Sequence, residues 1–101
     1  MLPKNNGAGH MLKIWGLVKK DNKIIKNTTA KCEDYFGFDT ALHQCIVEIC
    51  HTLDLAKPIF LNKHMEEMTR FNRTVFYAED FTEKIDFDTF EIERINLKKP
   101  R

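Results

Sequence analysis

The sequence predicts one α+β domain in which a small antiparallel sheet, of about four strands, packs on one main helix. Three observations predict this class. Two strand-like runs near the start flank a short polar turn, an amphipathic helical stripe follows, and two further strand-like runs lie in the last third. With 101 residues, 43% of them hydrophobic, the chain can form one modest core.

The predicted domain spans residues 11–96. Residues 1–10 are rich in Gly, show no periodicity and run into a Gly-His-Met junction typical of a cloning site. We therefore interpret them as an expression tag or a flexible leader. Residues 97–101 are basic, contain a Pro and are predicted to form a frayed tail.

The first element is a predicted hairpin of strands 12–18 and 24–32. Asp21 and Asn22 form its turn, because both residue types tolerate positive φ. Pairing Lys20 with Lys23 places Val18 opposite Ile25 and Ile14 opposite Thr29. That register assigns Leu12, Ile14, Val18 and Ile25 to one face, and Trp15, Leu17 and Ile24 to the other. Both faces are then partly apolar, so a helix is expected on one and a partner on the other.

The main helix is predicted over 38–53. Its apolar residues recur every three or four positions, and Asp34 or Asp39 is expected to cap its start. The stripe consists of Phe38, Leu42, Cys45, Ile46, Ile49, Cys50 and Leu53. The Lys-Pro pair at 57–58 is expected to end it.

A short helix is predicted to start at Asn62, as its N-cap, and to reach residue 71. Residues 73–78 are predicted to form a strand because they are rich in β-branched and aromatic side chains. An acidic turn is expected over 79–86, before a final strand over 88–95, where apolar and acidic residues alternate.

Charge is distributed unevenly along the chain. Residues 13–31 contain six Lys and one Asp, whereas residues 79–93 contain seven acidic residues and one Lys. Because opposite charges on adjacent strands stabilise their pairing, the last strand is predicted to lie near the hairpin in the same sheet.

Four residues of the main helix, His43, Cys45, Cys50 and His51, suggest a metal site by their chemistry. Their spacing argues against it, because a closed zinc site uses short chelating pairs such as Cys-x2-Cys. A catalytic thiolate needs a base or a helix N-terminus, and nothing in the sequence supplies one to Cys32. The acidic stretch lacks the ligand rhythm and central Gly of an EF-hand. The sequence therefore predicts no enzyme, no metal and no cofactor, and it leaves the role of His64 open.

The predicted function is a protein-interaction or self-assembly module. The face that carries Trp15, Leu17 and Ile24 is the predicted contact surface for a partner protein or for a second copy of the chain. The alternative is weak binding of single-stranded or non-specific nucleic acid through the hairpin lysines and Trp15. Those lysines are Lys13, Lys19, Lys20, Lys23 and Lys26. The absence of arginine among them excludes bidentate base reading, and the net charge of +1 is unlike that of dedicated nucleic-acid binders.

The predicted compartment is the cytoplasm. The three cysteines include no Cys-x-x-Cys pair and are interpreted as reduced thiols. No apolar run reaches the roughly 18 residues that a membrane span needs.

The sequence also resembles a group of small uncharacterised proteins from Gram-positive anaerobic bacteria. The resemblance covers residues 12–96 and is a pattern of apolar and turn positions rather than a chemical signature. It is carried by Leu12-Lys13-Ile14-Trp15, Asp21-Asn22-Lys23-Ile24, Leu53-Asp54-Leu55, Pro58-Ile59-Phe60-Leu61, Lys63-His64, Asp80-Phe81, Phe87-Asp88 and Phe90-Glu91-Ile92. It implies a bacterial cytoplasmic protein that starts at Met11, and it assigns no functional residue.

Overall fold

The computed structural model describes residues 11–33 and 36–95. The predicted leader, 1–10, and the predicted tail, 97–101, lie outside them. The elements are β1 (Met11–Lys20), β2 (Lys23–Glu33), α1 (Phe38–Leu53), α2 (Asn62–Phe71), β3 (Arg73–Phe76), a 3₁₀ turn (Ala78–Asp80) and β4 (Thr89–Arg94). The α+β prediction is confirmed, with α1 as the main helix. None of the helices in these two ranges is long and apolar enough to cross a bilayer.

All strand pairs of the sheet are antiparallel, and the strand order is β2-β1-β4-β3. The final strand lies beside the first strand of the hairpin, as the uneven charge distribution predicted. Lys19 of β1 and Glu91 of β4 form an ion pair, with 3.1 Å between Nζ and Oε2. Strands β2 and β3 are the two edges of the sheet.

The hairpin turn has the predicted conformation. Asp21 and Asn22 have φ angles of 53° and 67°, so both occupy the left-handed region that a two-residue hairpin turn requires. The backbone N–H of Asp21 also donates a hydrogen bond to Oδ2 of Asp88, at 2.8 Å. This bond ties the turn to the residue that precedes β4.

The predicted register holds only next to the turn. The structure pairs Val18 with Lys26 and Lys19 with Ile24, so Ile25 is an extra residue on β2 opposite the register shift. A bulge of this kind moves every later residue by one position. The prediction that Ile25 joins the core face is therefore wrong, and its side chain is 48% exposed.

Helix α1 packs its predicted apolar stripe on the sheet. Its buried residues are Ala41, Leu42, Cys45, Ile46, Ile49, Cys50 and Leu53, while Phe38 is partly buried. The contact with β1 is close at Gly16, where a Cβ atom would lie 2.6 Å from Cγ2 of Ile49. Position 16 therefore requires a glycine, because α1 approaches β1 closely at that point.

Both helices lie on the same face of the sheet. Thr74 and Phe76 belong to the face of Gly16 by their pairing through β4 with Gly16 and Val18. From α2, Glu67 accepts a hydrogen bond from the Thr74 hydroxyl at 2.5 Å. The ring of His64, also on α2, lies 4.4 Å from that of Phe76.

The helix ends differ from the sequence prediction. Helix α1 starts after Gly37 without a side-chain cap, and it ends at Asp54, whose φ of 58° terminates it before the Lys-Pro pair. The N-cap of α2 is Leu61 rather than Asn62. Nδ1 of His64 accepts the Leu61 N–H at 2.9 Å, so a histidine at the third helical position supplies the bond that a Glu or Gln supplies in a capping box.

Candidate functional site

The face of the sheet opposite the helices is the first candidate surface, and we call it the open sheet face. Side chains alternate between the faces of a strand, so the register decides its members. They are Met11, Lys13, Trp15, Leu17 and Lys19 from β1, Ile24, Asn27, Thr29, Lys31 and Glu33 from β2, Thr89, Glu91 and Glu93 from β4, and Arg73 and Val75 from β3. The register thus brings together Trp15, Leu17 and Ile24, the three residues predicted as an interaction surface.

The three side chains differ in exposure. Trp15 is partly buried, and its Nε1–H donates a hydrogen bond to Oδ1 of Asn27 at 3.2 Å. Ile24 is 47% exposed, but Leu17 is only 3% exposed. Leu17 is buried because β1 is a central strand, where Asn27 and Glu91 flank it as register partners on both sides. The accessible apolar side chains of this face therefore include the partly buried Trp15, Ile24 and, at the start of β1, Met11, which is 40% exposed, whereas Leu17 adds almost no exposed surface.

An ion-pair network crosses the open sheet face. Glu91, only 12% exposed, lies 2.8 Å from Nη2 of Arg73 and 3.1 Å from Nζ of Lys19. The network thereby joins β1, β4 and β3. Of the remaining charges, Lys13 and the ion pair of Lys31 with Glu33, at 3.5 Å, lie on the β1–β2 half of the face, and Glu93 lies on the β4 half.

The structure distributes the hairpin lysines over different surfaces. Lys13 and Lys19 belong to the open sheet face, whereas Lys20 and Lys23 flank the turn. Lys26 points to the helix side, where its Nζ donates a hydrogen bond to the carbonyl oxygen of Leu53 at 2.9 Å. These five lysines do not share one face.

The thiols of α1 belong to the core. Burial raises the pKa of Cys45 to about 12 and that of Cys50 to about 11, so both are protonated at neutral pH. Cys32 is partly buried, and its thiol donates a hydrogen bond to Oε1 of Gln44 at 3.2 Å. Cys45 and Cys50 therefore lack the lowered pKa that thiolate chemistry uses.

His43 and His51, the two histidines of α1 weighed above as metal ligands, are exposed. His43 packs edge-on against Phe60, with 5.1 Å between the ring centroids. Across the parts of the chain that the structure describes, no three His, Cys, Asp or Glu residues are grouped so that they could hold a metal ion.

A buried pair formed by His64 and Asp80 has no counterpart in the sequence predictions. His64 is completely buried and Asp80 is 4% exposed, with 3.6 Å between Nε2 and Oδ2. Oδ2 of Asp80 also accepts the N–H of Tyr77 at 2.9 Å. Because Nδ1 accepts the Leu61 N–H, the neutral imidazole carries its proton on Nε2, directed towards Asp80. The pair joins the start of α2 to the 3₁₀ turn.

Burial lowers the pKa of His64, and the nearby carboxylate of Asp80 opposes this effect only in part. Protonation would also place a second proton on Nδ1, against the N–H of Leu61. No substrate atom can reach an imidazole without exposed surface, so the geometry favours a structural role for the pair. The sequence prediction missed this role because it made Asn62 the N-cap, whereas the structure starts α2 after Leu61 and thereby puts His64 at the third helical position, from which a capping-box side chain reaches back.

A groove beside β3 is the second candidate surface. It has a volume of about 470 Å³ and lies between α2 and the free edge of β3. Its lining residues are Lys63, Glu67, Phe71, Arg73, Thr74, Val75 and Tyr77. Phe71 is 63% exposed and Tyr77 is 49% exposed. The sequence predicted a helix and a strand at these residues but no function for them.

Comparison of the chain with protein families, with curated proteins and with solved structures found no match. The resemblance to small bacterial proteins stays a prediction. The function of this chain must therefore be inferred from its own geometry.

Proposed function

We propose that this protein is a non-enzymatic, cytoplasmic self-association module that binds a second copy of itself through the open sheet face. The observation that carries this proposal is the placement of both helices on one side of the sheet. The opposite side, with Trp15 at its centre and Ile24 beside the hairpin turn, is left without cover by the described residues.

The chemistry of the face supports a protein partner. Trp15 has the apolar body and polar tip that are enriched in interfaces, and its N–H is already satisfied by Asn27. Burial of Trp15 and Ile24 therefore requires no additional hydrogen-bond partner. The network of Glu91 with Lys19 and Arg73 is likewise satisfied before association.

The charge distribution supports a second copy as the partner. Lys13 lies on the β1–β2 half of the face and Glu93 on the β4 half, and neither has an ion pair among the described residues, whereas Lys31 is paired with Glu33. A twofold axis parallel to the strands would place the β1–β2 half of one copy opposite the β4 half of the other copy. Opposite charges then meet across a self-complementary interface, as symmetric dimers require.

Sedimentation equilibrium over roughly a hundredfold range of protein concentration tests the proposal, because association follows mass action. Trp15 is the only tryptophan, so its fluorescence reports on the same surface. We expect dimer formation with a shift of the emission to shorter wavelength, and Trp15→Ala should weaken the dimer. Val47→Ala is the matched control, since Val47 is 48% exposed on α1, away from the sheet.

A monomer at every concentration, with unchanged Trp15 emission, would overturn the proposal. Equal weakening of the dimer by Val47→Ala and Trp15→Ala would show that the open sheet face is not the interface.

Nucleic-acid binding has less support, because the hairpin lysines occupy different surfaces and Lys19 and Lys26 already have partners in the chain. Anisotropy of a labelled single-stranded oligonucleotide, titrated at low and high salt, tests this alternative. Binding that weakens steeply with salt would support it.

A further inference from the structure

The free edge of β3 has backbone groups that no described residue occupies. Strand β3 pairs only with β4, and the N–H of Arg94 donates a hydrogen bond to the carbonyl of Asn72 at 2.7 Å. In an antiparallel ladder, alternate residues bond to the same neighbour. The backbone groups of Thr74 and Phe76 therefore point towards β4. The backbone groups of the two residues that alternate with them point outward, away from the sheet.

Those two residues are Arg73 and Val75. The outward N–H at the next alternate position, Tyr77, is already used, since it donates to Oδ2 of Asp80 at 2.9 Å. The open part of the edge is thus short and sharply bounded. It offers two N–H donors and two carbonyl acceptors with the spacing of a strand.

The groove beside this edge gives it side-chain specificity. Lys63, Glu67 and Phe71 follow one another at four-residue spacing, so they form one stripe of α2 along the groove. Phe71 and Tyr77 are the exposed aromatic residues that border it. An extended chain beside β3 would place alternate side chains towards this aromatic border.

The groove contains charges of both signs, because Glu67 keeps its negative charge when it accepts a hydrogen bond from a neutral hydroxyl. Arg73 is bound to Glu91, and Glu67 accepts the hydroxyl hydrogen bond of Thr74. Lys63 is exposed and has no ion pair within the described residues. A ligand with a carboxylate near Lys63 would complement this site.

We propose that the β3 edge and its groove bind an extended peptide segment of a partner protein, which adds to the sheet as a fifth strand. The peptide carries an aromatic or aliphatic side chain that contacts Phe71 and Tyr77, and an acidic side chain that pairs with Lys63. This site includes Arg73 and Val75 at the margin of the open sheet face, but Trp15 and Ile24 are not part of it.

The two edges of the sheet differ in a way that favours this proposal. Edge strands are commonly protected from pairing by short length and by lysines. The β2 edge has such protection from exposed lysines, among them Lys23 and Lys31. Strand β3 has the protection of short length, with four residues, but the exposed side chains beside it include two aromatic residues, Phe71 and Tyr77, which offer a contact surface.

The test uses a fluorescein-labelled heptapeptide with a central phenylalanine, flanking valines and glutamates at both ends. Its control is the same peptide with N-methyl groups on alternate amides, which removes strand hydrogen bonds and keeps the side chains. We expect the methylated peptide to bind roughly tenfold more weakly. Amide NMR spectra should show shifts in β3 and α2, with slower hydrogen exchange at Arg73 and Val75.

Two variants of the protein make the test independent of folding. Phe71→Ser alters only an exposed side chain and should weaken binding several-fold. Val75→Pro removes an outward N–H without removing a hydrogen bond to β4, and it should weaken binding as well. Trp15→Ala should leave peptide binding unchanged, which separates this site from the proposed self-association surface.

Equal binding of the methylated and unmethylated peptides would overturn the proposal, as would amide shifts confined to β1 and β2. Absence of binding at millimolar peptide would also overturn it. If hydrogen exchange at Arg73 and Val75 slows with rising protein concentration in the absence of peptide, the edge binds a second copy of the chain. That result would also refute a peptide site.

Discussion

Replacing Gly16 by alanine should destabilise the protein through one identifiable contact. The added Cβ would lie 2.6 Å from Cγ2 of Ile49 and 3.3 Å from Cε1 of Phe90. Carbon atoms attract each other best at about 3.5–4.0 Å, so α1 or the Ile49 side chain must move by roughly 1 Å. Overpacking of this kind costs about 1–3 kcal/mol. The lower backbone entropy of alanine in the unfolded chain offsets about 0.4–1 kcal/mol of that.

The expected net loss in the free energy of unfolding is about 1–2 kcal/mol, which corresponds to a Tm lower by roughly 5–15 °C for a domain of this size. Urea titration followed by circular dichroism measures the loss. Gly37→Ala is the control, because no heavy atom lies within 4 Å of the added Cβ at that position. We expect the control to change the stability by less than about 1 kcal/mol.

A double-mutant cycle with Ile49→Ala identifies the contact. If Ile49 is the obstacle, Gly16→Ala should be neutral or stabilising once the Ile49 side chain is truncated. Because Ile49→Ala alone removes about 2–5 kcal/mol, the cycle is best measured with a stabilising osmolyte present. A Gly16→Ala protein as stable as the parent would refute the close approach of α1 to β1, as would an equal loss in both backgrounds.

Two further predictions concern ionisable residues. Because the pKa of His64 is lowered below its ordinary 6.5, the unfolded chain binds more protons, so stability should fall as the pH drops below that value. One such group changes the free energy of unfolding by at most about 1.4 kcal/mol per pH unit. Urea titrations between pH 7 and 5 should show this pH dependence for the parent protein but not for His64→Gln. Glu91→Gln should lower stability by roughly 1 kcal/mol, less at high salt, because both partner cations are substantially exposed. Glu93→Gln, without an ion pair among the described residues, should lie within about 0.5 kcal/mol of the parent, and equal effects of the two would contradict the network.

The sequence predicted those parts of the fold that depend on local pattern. The apolar stripe of α1 has helical spacing, and the hairpin turn follows from the tolerance of Asp21 and Asn22 for positive φ. The neighbouring position of β4 and the hairpin followed from opposite charges, and the ion pair of Lys19 with Glu91 lies at that contact. Each of these signals acts between side chains that are near in sequence or strongly complementary.

The sequence did not predict features that depend on three-dimensional context. Ile24 and Ile25 have the same strand propensity, so nothing in the local sequence indicates which of them is the extra residue of the bulge. Leu17 is buried because strands pack on both sides of β1, and a pattern along one strand does not reveal this. His64 meets Asp80 across the 3₁₀ turn, far from any motif that pairs these residue types.

The strand order has a consequence for how the chain acquires its structure during synthesis. The central ladder of the sheet joins β1 to β4, the first and last strands of the described chain. Chains emerge from the ribosome at about 5–20 residues per second, so the hairpin and both helices become available before the strand that completes the sheet. Until β4 arrives, β3 has no partner at all and one side of β1 is unpaired. Folding is therefore expected to be a single late event, and a chain shortened before β4 would lose two of its four strands.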